Sequence, residues 1–220
     1  MGLLLCLTGD AATESNGFYA YHDSAAGIDL QVHSSVHPDA VAAAKRTIEK
    51  MLSARPDIAG RMQARQARLS IIPRDRFITF LPEFARLSGT NDPNGTAYDS
   101  FGVRGAGGIP SQPVTATSEE NLRKLPGDPF AGEDVTTHEF AHAIMNLGFS
   151  DEERRGWTQL YQAAKRRKAF PGAFAMTHED EYWAELSQSY FGVNNEINGR
   201  ETVGRGDPEA LKFLAAVYGS

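Results

Sequence analysis

The residues of this chain best suited to chemistry are two histidines and a glutamate within "TTHEFAHAIMNLGF", residues 136–149. A helix advances about 100° per residue, so His138 and His142 would project from one face and direct two imidazole nitrogens at the same ion. Glu139 would lie beside them, where it can take a proton from a zinc-activated water. The spacing therefore predicts a hydrolytic zinc site.

Local context supports a helix here, although the pattern alone is not decisive. Chance would give the same spacing in roughly one shuffled sequence of this composition in a hundred. Asp134 and Thr136 offer helix-start chemistry, and Gly148 offers a stop. The alternative is a core helix whose two histidines are satisfied by hydrogen bonds. A catalytic zinc needs three protein ligands, so a third ligand has to be found.

A second stretch, "THEDEYWAELSQSYF" at residues 177–191, supplies two carboxylates one helical turn apart. Of Glu181 and Glu185, one can bind the ion while the other accepts a hydrogen bond from a ligand histidine and fixes its tautomer. Such a pair is commonly a solvated helix face. The neighbouring Tyr182 and Trp183 indicate burial instead, and a buried carboxylate needs a partner such as a metal.

"HEFAH" followed by "EYWAE" resembles the gluzincin metallopeptidases, in particular the group related to the catalytic domain of anthrax lethal factor. The similarity extends to "RPDI", "ATSEENL", "GEDVTTHEFAHAI" and "AMTHEDEYWAELSQSYF", so it covers much of residues 38–194. The zinc motifs are specific, whereas the other matches indicate kinship without indicating a substrate.

The resemblance implies a role for each residue of the two motifs. One zinc ion is held by His138, His142 and Glu181. Glu139 becomes the general base. Glu185 becomes the carboxylate that supports a ligand histidine.

The chain departs from that family at one position. The family often has a tyrosine seven residues before the ligand glutamate, where it steadies the oxyanion, and this chain has Phe174 there. Phenylalanine has no hydroxyl to donate, and loss of one such donor costs about 10²–10³ in rate. We expect either His178 or a tyrosine elsewhere to stabilise the tetrahedral intermediate, or the enzyme to be slow.

Composition and charge limit the classes of molecule that the protein can bind. The chain has 220 residues, 41% of them hydrophobic, and 22 basic against 28 acidic residues give a net charge of −6. Neither sign gathers into a long block, so we expect no nucleic-acid partner. The resemblance implies a peptide or protein substrate, and we expect the protein to be a monomer. Cys6 is the sole cysteine, so an internal disulfide is impossible. No stretch approaches the ~20 apolar residues that span a bilayer.

The predicted organisation is one catalytic domain after a short leading segment. Residues 1–20 contain "MGLLLCLTGDAATES", which is read either as the end of an export signal or as a buried first strand "GLLLCL". Because the resembling proteins are often exported, we expect a periplasmic, extracellular or surface-attached protein. Residues 21–220 form the domain, with a sheet and helix part to about residue 148 and a helical part over residues 149–220.

The predicted fold is α+β and zincin-like, with a small twisted mixed sheet, an active-site helix and a helical C-terminal part. Three segments have strand patterns: "ARLSIIP", "RFITFLP" and "PVTATS". Helix patterns begin at Pro38 in "HPDAVAAAKRTIEKMLSARPDI", at "SDEERRGWTQLYQAAKRRKAF", at "EDEYWAELSQSYFGV" and at "GDPEALKFLAAVYG". Residues 88–113 are rich in Gly, Pro and Asn and predict a long loop. "GIPSQPVTATS" is the candidate edge for an extended substrate, although a plain linker is equally compatible.

The sequence therefore predicts a zinc metallopeptidase in which Glu139 acts as general base on a zinc-activated water. Three alternatives stay open. The chain could be a catalytically weak or inactive zincin-fold protein that binds a partner, a zinc hydrolase of a non-peptide amide, or a metal-free structural protein. The intact Glu139 argues against the first, because a structural zinc has no need of a base.

Overall fold

The computed structural model of the protein describes residues 17–219. Within that range the predicted α+β class is confirmed: a four-stranded mixed sheet is combined with a set of helices that forms the whole C-terminal part. The strands are β1 Tyr21–Ala25, β2 Ile28–Val32, β3 Arg68–Ile72 and β4 Val114–Ser118. The helices are α1 Pro38–Leu52, α2 Pro56–Ala64, α3 Glu119–Leu122, α4 Val135–Ala143, α5 Asp151–Arg167, α6 Glu179–Phe191, α7 Gly199–Gly206 and α8 Pro208–Tyr218. The strand "GLLLCL" lies outside the described residues.

The sheet runs in the order β1-β2-β3-β4, with β1 antiparallel to β2 and the other neighbours parallel. Parallel neighbours need a crossover, and α1 and α2 supply it between β2 and β3. A long irregular segment joins β3 to β4, as the loop prediction requires. β4 is the last strand in this order, yet every one of its residues is buried. Other elements therefore pack against this edge of the sheet.

The first predicted helix is present but divided. Its apolar face, including Val41, Ile48 and Met51, is buried in the main core. α1 ends at Leu52, and Pro56 begins α2 at a position where a missing N–H costs nothing. The single periodic run in the sequence therefore forms two helices that cover the sheet.

The strand predicted from "RFITFLP" is wrong. The structure has a 3₁₀ turn at Ile78–Phe80 and a second 3₁₀ segment at Pro82–Leu87. Ile78, Leu81 and Phe84 are all buried in one cluster. Their spacing of three matches the three residues per turn of a 3₁₀ helix, and this packing prevails over the alternating pattern.

Three of the C-terminal helices, α5, α6 and α8, lie where the sequence predicts them, whereas α7 was not predicted. The capping box at the start of α5 forms as expected, with Ser150 and Glu153 exchanging hydrogen bonds. Asp207 caps α8 by accepting from the backbone N–H of Ala210. Together these helices enclose Trp183, which is fully buried. No described helix combines the length and apolar character that crossing a membrane would require.

A buried ion pair fixes the long segment before β4. The guanidinium of Arg104 donates to both carboxylate oxygens of Glu120 at 2.5 and 2.7 Å, and the Arg104 side chain is fully buried. The same guanidinium donates to the carbonyl oxygen of Arg76 at 2.5 Å. Because two parallel hydrogen bonds join the groups, the pair fixes the orientation of the guanidinium as well as its distance from the carboxylate. It holds the adjacent Gly105 across the N-terminal half of α4.

Candidate metal centre and cleft

The helix that carries the two histidines is fixed at its start. Asp134 caps α4 by accepting from the backbone N–H of Thr137 at 2.9 Å, as the sequence context predicts. Thr136 is fully buried, and its hydroxyl lies 2.7 Å from that of Thr117 on β4. One face of α4 is therefore attached to the sheet, and the face bearing His138 is left toward the cleft.

Two hydrogen bonds hold α6 beside α4. The indole Nε1 of Trp183 donates to the carbonyl oxygen of Ala141 at 2.7 Å. The amide Nε2 of Gln188 donates to the carbonyl oxygen of Asp134 at 3.0 Å. These bonds lie at opposite ends of the contact between the helices, so they fix the register that brings Glu181 opposite the histidines.

The three predicted ligands converge. His138, His142 and Glu181 each offer one atom, and the three atoms lie within 4.8 Å of one another. Nε2 of His138 is 3.1 Å from Nε2 of His142 and 3.3 Å from Oε2 of Glu181. Nε2 of His142 is 3.7 Å from the same oxygen. Two ligand atoms at ~2.0–2.1 Å from a tetrahedral zinc lie about 3.3 Å apart, so the spacing fits one ion.

The oxygen of Glu181 that faces the histidines is an orphan. Oε2 is buried and forms no hydrogen bond with any described residue, although the imidazoles lie within ion-pair distance. Leaving a buried carboxylate oxygen unpaired is costly. A cation between the three side chains would satisfy it. The donor set of two imidazoles and one carboxylate is one that zinc accepts.

The charges of the site favour positive charge at its centre. Burial lowers the pKa of His138, but Glu181 and Glu185 outweigh it and hold that pKa well above the usual value. Burial raises the pKa of Glu181, and the two imidazoles outweigh it and bring the pKa well below its usual range. Carboxylates that stabilise an imidazolium would stabilise a metal cation in the same place.

Glu139 lies beside the three converging residues and does not belong to that set. Burial raises its pKa, and His138 and His142 oppose that rise. Gly105 lies directly over it: a Cβ added to Gly105 would come within 2.6 Å of Oε1 of Glu139. The absence of a side chain at Gly105 is what leaves room for this carboxylate.

The other predicted site residues occupy different positions. Oε1 of Glu185 lies 3.2 Å from Nδ1 of His138, within reach of that nitrogen, and its supporting role stays a prediction. His178 caps α6, with its Nδ1 accepting from the N–H of Asp180 at 3.2 Å, and it does not line the cleft. Its role as oxyanion donor stays a prediction. Phe174 does line the cleft, with 44% of its surface exposed.

The site opens into a cleft of about 570 Å³. One wall is the segment around Val103 and Gly105, and the floor is α4. Besides the metal centre and its neighbours, the lining includes Asp92, Glu133 and Glu196. Arg104 also lines the cleft, but its guanidinium is engaged with a buried carboxylate. The cleft is therefore acidic.

The prediction that "GIPSQPVTATS" is the free edge is wrong for β4. Ala116 of β4 exchanges backbone hydrogen bonds with Ala106 at 3.1 and 2.8 Å, so its outer side is covered. Residues Ile109 and Gln112 close a tight turn. The edge that faces the cleft is the segment around Gly105. The backbone N–H and C=O of Gly105 itself form no hydrogen bond with any described residue.

Two residues beside the site, Gln188 and Asn194, were not predicted from the sequence. Gln188 shares the site-facing side of α6 with Glu185, three residues earlier, and this spacing could have indicated it. Asn194 follows the end of that helix, and no local pattern in the sequence connects it to the histidines. Gln188 contacts His138, and Asn194 contacts Glu185.

Comparison with known proteins gives a fold. No protein-family model matches the chain, and no curated protein matches it. Among solved structures, a PRO-PRO endopeptidase from Paenibacillus alvei matches with a TM-score of 0.58 and 18% sequence identity. The match covers 84% of this chain and 94% of that chain. The two share a fold. At this identity the likeness shows the fold alone.

Proposed function

We propose that the chain is a zinc-dependent metallopeptidase of gluzincin type. The observation that carries the proposal is the convergence of His138, His142 and Glu181 at separations that fit one tetrahedral ion, with Glu139 beside them and a cleft in front. The fold shared with a PRO-PRO endopeptidase adds support. Peptide or protein is the proposed substrate class.

Each residue has a separate task. Zinc, when bound, lowers the pKa of water and polarises a carbonyl. Glu139 takes a proton from the attacking water and returns it to the leaving amine. Glu185 accepts from Nδ1 of His138 and keeps Nε2 free to face the ion. The backbone N–H and C=O of Gly105, which have no partner among the described residues, offer an extended peptide a donor and an acceptor beside the base.

The proposal is tested by cleavage of a peptide library. The library contains random sequences, sequences with Pro-Pro bonds because of the neighbour's specificity, and sequences with Lys or Arg because Asp92, Glu133 and Glu196 line the cleft. Elemental analysis measures zinc, and mass spectrometry identifies new termini. We expect about one zinc per chain and cleavage that a chelator stops and added zinc restores.

A zincin-fold binding protein is the second candidate, and Phe174 is the observation that favours it. Its ring lines the cleft where the resembling family often has a tyrosine hydroxyl. Full zinc occupancy without cleavage of any peptide would support binding over hydrolysis. Absence of zinc from the purified and reconstituted protein would contradict both candidates.

Gly105→Ala should slow cleavage without removing zinc. The new methyl group would overlap the Glu139 side chain and move its carboxylate, and a displacement of about 1 Å in a catalytic group can cost about 10²-fold. The measurement is kcat together with zinc content. Gly108→Ala is the matched control on the same segment, because its added Cβ would meet Leu147 at 3.3 Å and no catalytic side chain. Equal kcat for wild type and Gly105→Ala would contradict the placement of Glu139.

A further inference from the structure

Behind the metal centre lies a group of three buried polar side chains: Glu185, Gln188 and Asn194. They are 8%, 1% and 3% exposed. Glu185 and Gln188 lie on α6, one turn apart, and Asn194 follows Gly192, where the helix ends. Buried polar groups persist only when their hydrogen bonds are made, so the pattern of donors and acceptors in this group is informative.

The group presents two acceptors to one imidazole nitrogen. Nδ1 of His138 lies 3.2 Å from Oε1 of Glu185 and 3.2 Å from Oε1 of Gln188. Two facing acceptors favour the tautomer that carries its proton on Nδ1. Nε2, the nitrogen directed at Glu181, then keeps the lone pair that a metal requires.

The orientation of Gln188 follows from its second contact. Its Nε2 donates to the carbonyl oxygen of Asp134 at 3.0 Å, so Oε1 is the atom left for His138. A reversed amide would place a donor against the N–H of the imidazole and leave the carbonyl of Asp134 without this bond. The hydrogen-bond network therefore assigns the amide in one orientation.

Asn194 holds both acceptors at once. Its Nδ2 donates to Oε2 of Glu185 at 2.5 Å and to Oε1 of Gln188 at 3.2 Å. Its Oδ1 accepts from the backbone N–H groups of Glu196 and Ile197 at 2.8 and 2.7 Å. The backbone thus fixes which end of the amide points at the metal centre.

We propose that Asn194 is a positioning residue of the zinc site, an inference that rests on the proposed function. It acts through Glu185 and Gln188, because its amide donates to both and lies between two oxygens that would otherwise repel. With both oxygens held, Nδ1 of His138 is restrained as a donor and Nε2 is presented to the ion. Removing the amide should weaken zinc binding even though Asn194 is not a ligand.

The test is zinc affinity in Asn194→Asp, measured by competition with a chelator. Aspartate has the shape of asparagine and retains the oxygen that accepts from the backbone, but its second oxygen would face the oxygens of Glu185 and Gln188. We expect the dissociation constant to rise about 10–100-fold, as for other residues that support metal ligands. Asn198→Asp is the matched control: the same change at an exposed asparagine whose side chain makes no capping bond.

A double variant separates positioning from a merely structural role. In Glu185→Gln/Asn194→Asp the new glutamine amide can donate to the new carboxylate while its oxygen still accepts from His138. This variant also keeps the total charge of the wild type. We expect the double variant to bind zinc more tightly than either single variant. If Asn194→Asp alone fails to fold, the test becomes the comparison of the double variant with Glu185→Gln.

Thermal unfolding of the zinc-free variants completes the test. A lower midpoint for Asn194→Asp with unchanged zinc affinity would overturn the inference, since Asn194 would then stabilise only the turn after α6. A double variant that binds zinc no better than Glu185→Gln would also overturn it. In either of these outcomes, normal zinc binding by the wild type would leave the proposed function standing. Wild type that binds none would overturn the proposed function and this inference together.

Discussion

Glu139→Gln is expected to lower peptide cleavage by about 10²–10⁴-fold while zinc content stays at the wild-type level, because a general base contributes about that factor. Glutamine has the same shape and fits under Gly105, but its amide cannot take a proton from water. Glu139 is outside the set of three converging atoms, so the ion should be retained. Burial raises the pKa of Glu139 above its ordinary value, and a carboxylate with a higher pKa is a stronger base than an exposed one.

The measurement is kcat/KM on the best library peptide, with zinc determined by elemental analysis on the same samples. Glu133→Gln is the matched control, because Glu133 also lines the cleft and undergoes the same loss of charge. We expect the control to affect cleavage far less than Glu139→Gln. A Glu139→Gln variant that cleaves at the wild-type rate, or that loses its zinc, would contradict the assignment of the base.

Helix boundaries could be predicted because their causes are local. The capping box of Ser150 and the Asp207 cap are short-range hydrogen bonds that the sequence displays directly. The apolar face of α1 is likewise visible as a period of 3.6 residues. Such elements form wherever the rest of the chain allows them.

The N-terminal hairpin was missed because half of it lacks an apolar signal. β1 is an edge strand with the sequence "YHDSA", and most of its residues are exposed or half-buried. β2 does alternate, with Ile28, Leu30 and Val32 fully buried, so this strand could have been found. Ala26 and Gly27, both with positive φ, make the two-residue turn between the strands.

For the candidate site, too, the features that depend on local sequence could be predicted and those that depend on tertiary contacts could not. Spacing within one helix predicted the pair of histidines and the pair of glutamates, because it depends only on helical geometry. The contact between α4 and α6 depends on Trp183 reaching the carbonyl of Ala141, 42 residues away. The placement of Gly105 depends on the buried ion pair of Arg104 with Glu120. Contacts of this kind arise from the tertiary fold, and a single sequence does not display them.

Glu181→Gln is expected to weaken zinc binding by at least about a hundredfold, since loss of a residue that only supports a ligand already costs about 10–100-fold. The orphaned Oε2 of Glu181 is the only carboxylate oxygen in the converging set. A neutral amide in its place is a weaker ligand for a divalent cation, and it no longer offsets the charge of the ion. His138 and His142 alone would leave the ion two protein ligands.

The measurement is the zinc dissociation constant by chelator competition, with cleavage measured at saturating zinc. Glu179→Gln is the matched control: it lies two residues away on α6, where the side chain approaches Arg154 instead of the metal centre. Two residues along a helix correspond to a rotation of about 200°, so the control alters the same helix on another face. Equal zinc affinity in Glu181→Gln and Glu179→Gln would contradict the third ligand. Selective loss in Glu181→Gln, with cleavage recovering as zinc is added, would tie the metal and the chemistry to the same three side chains.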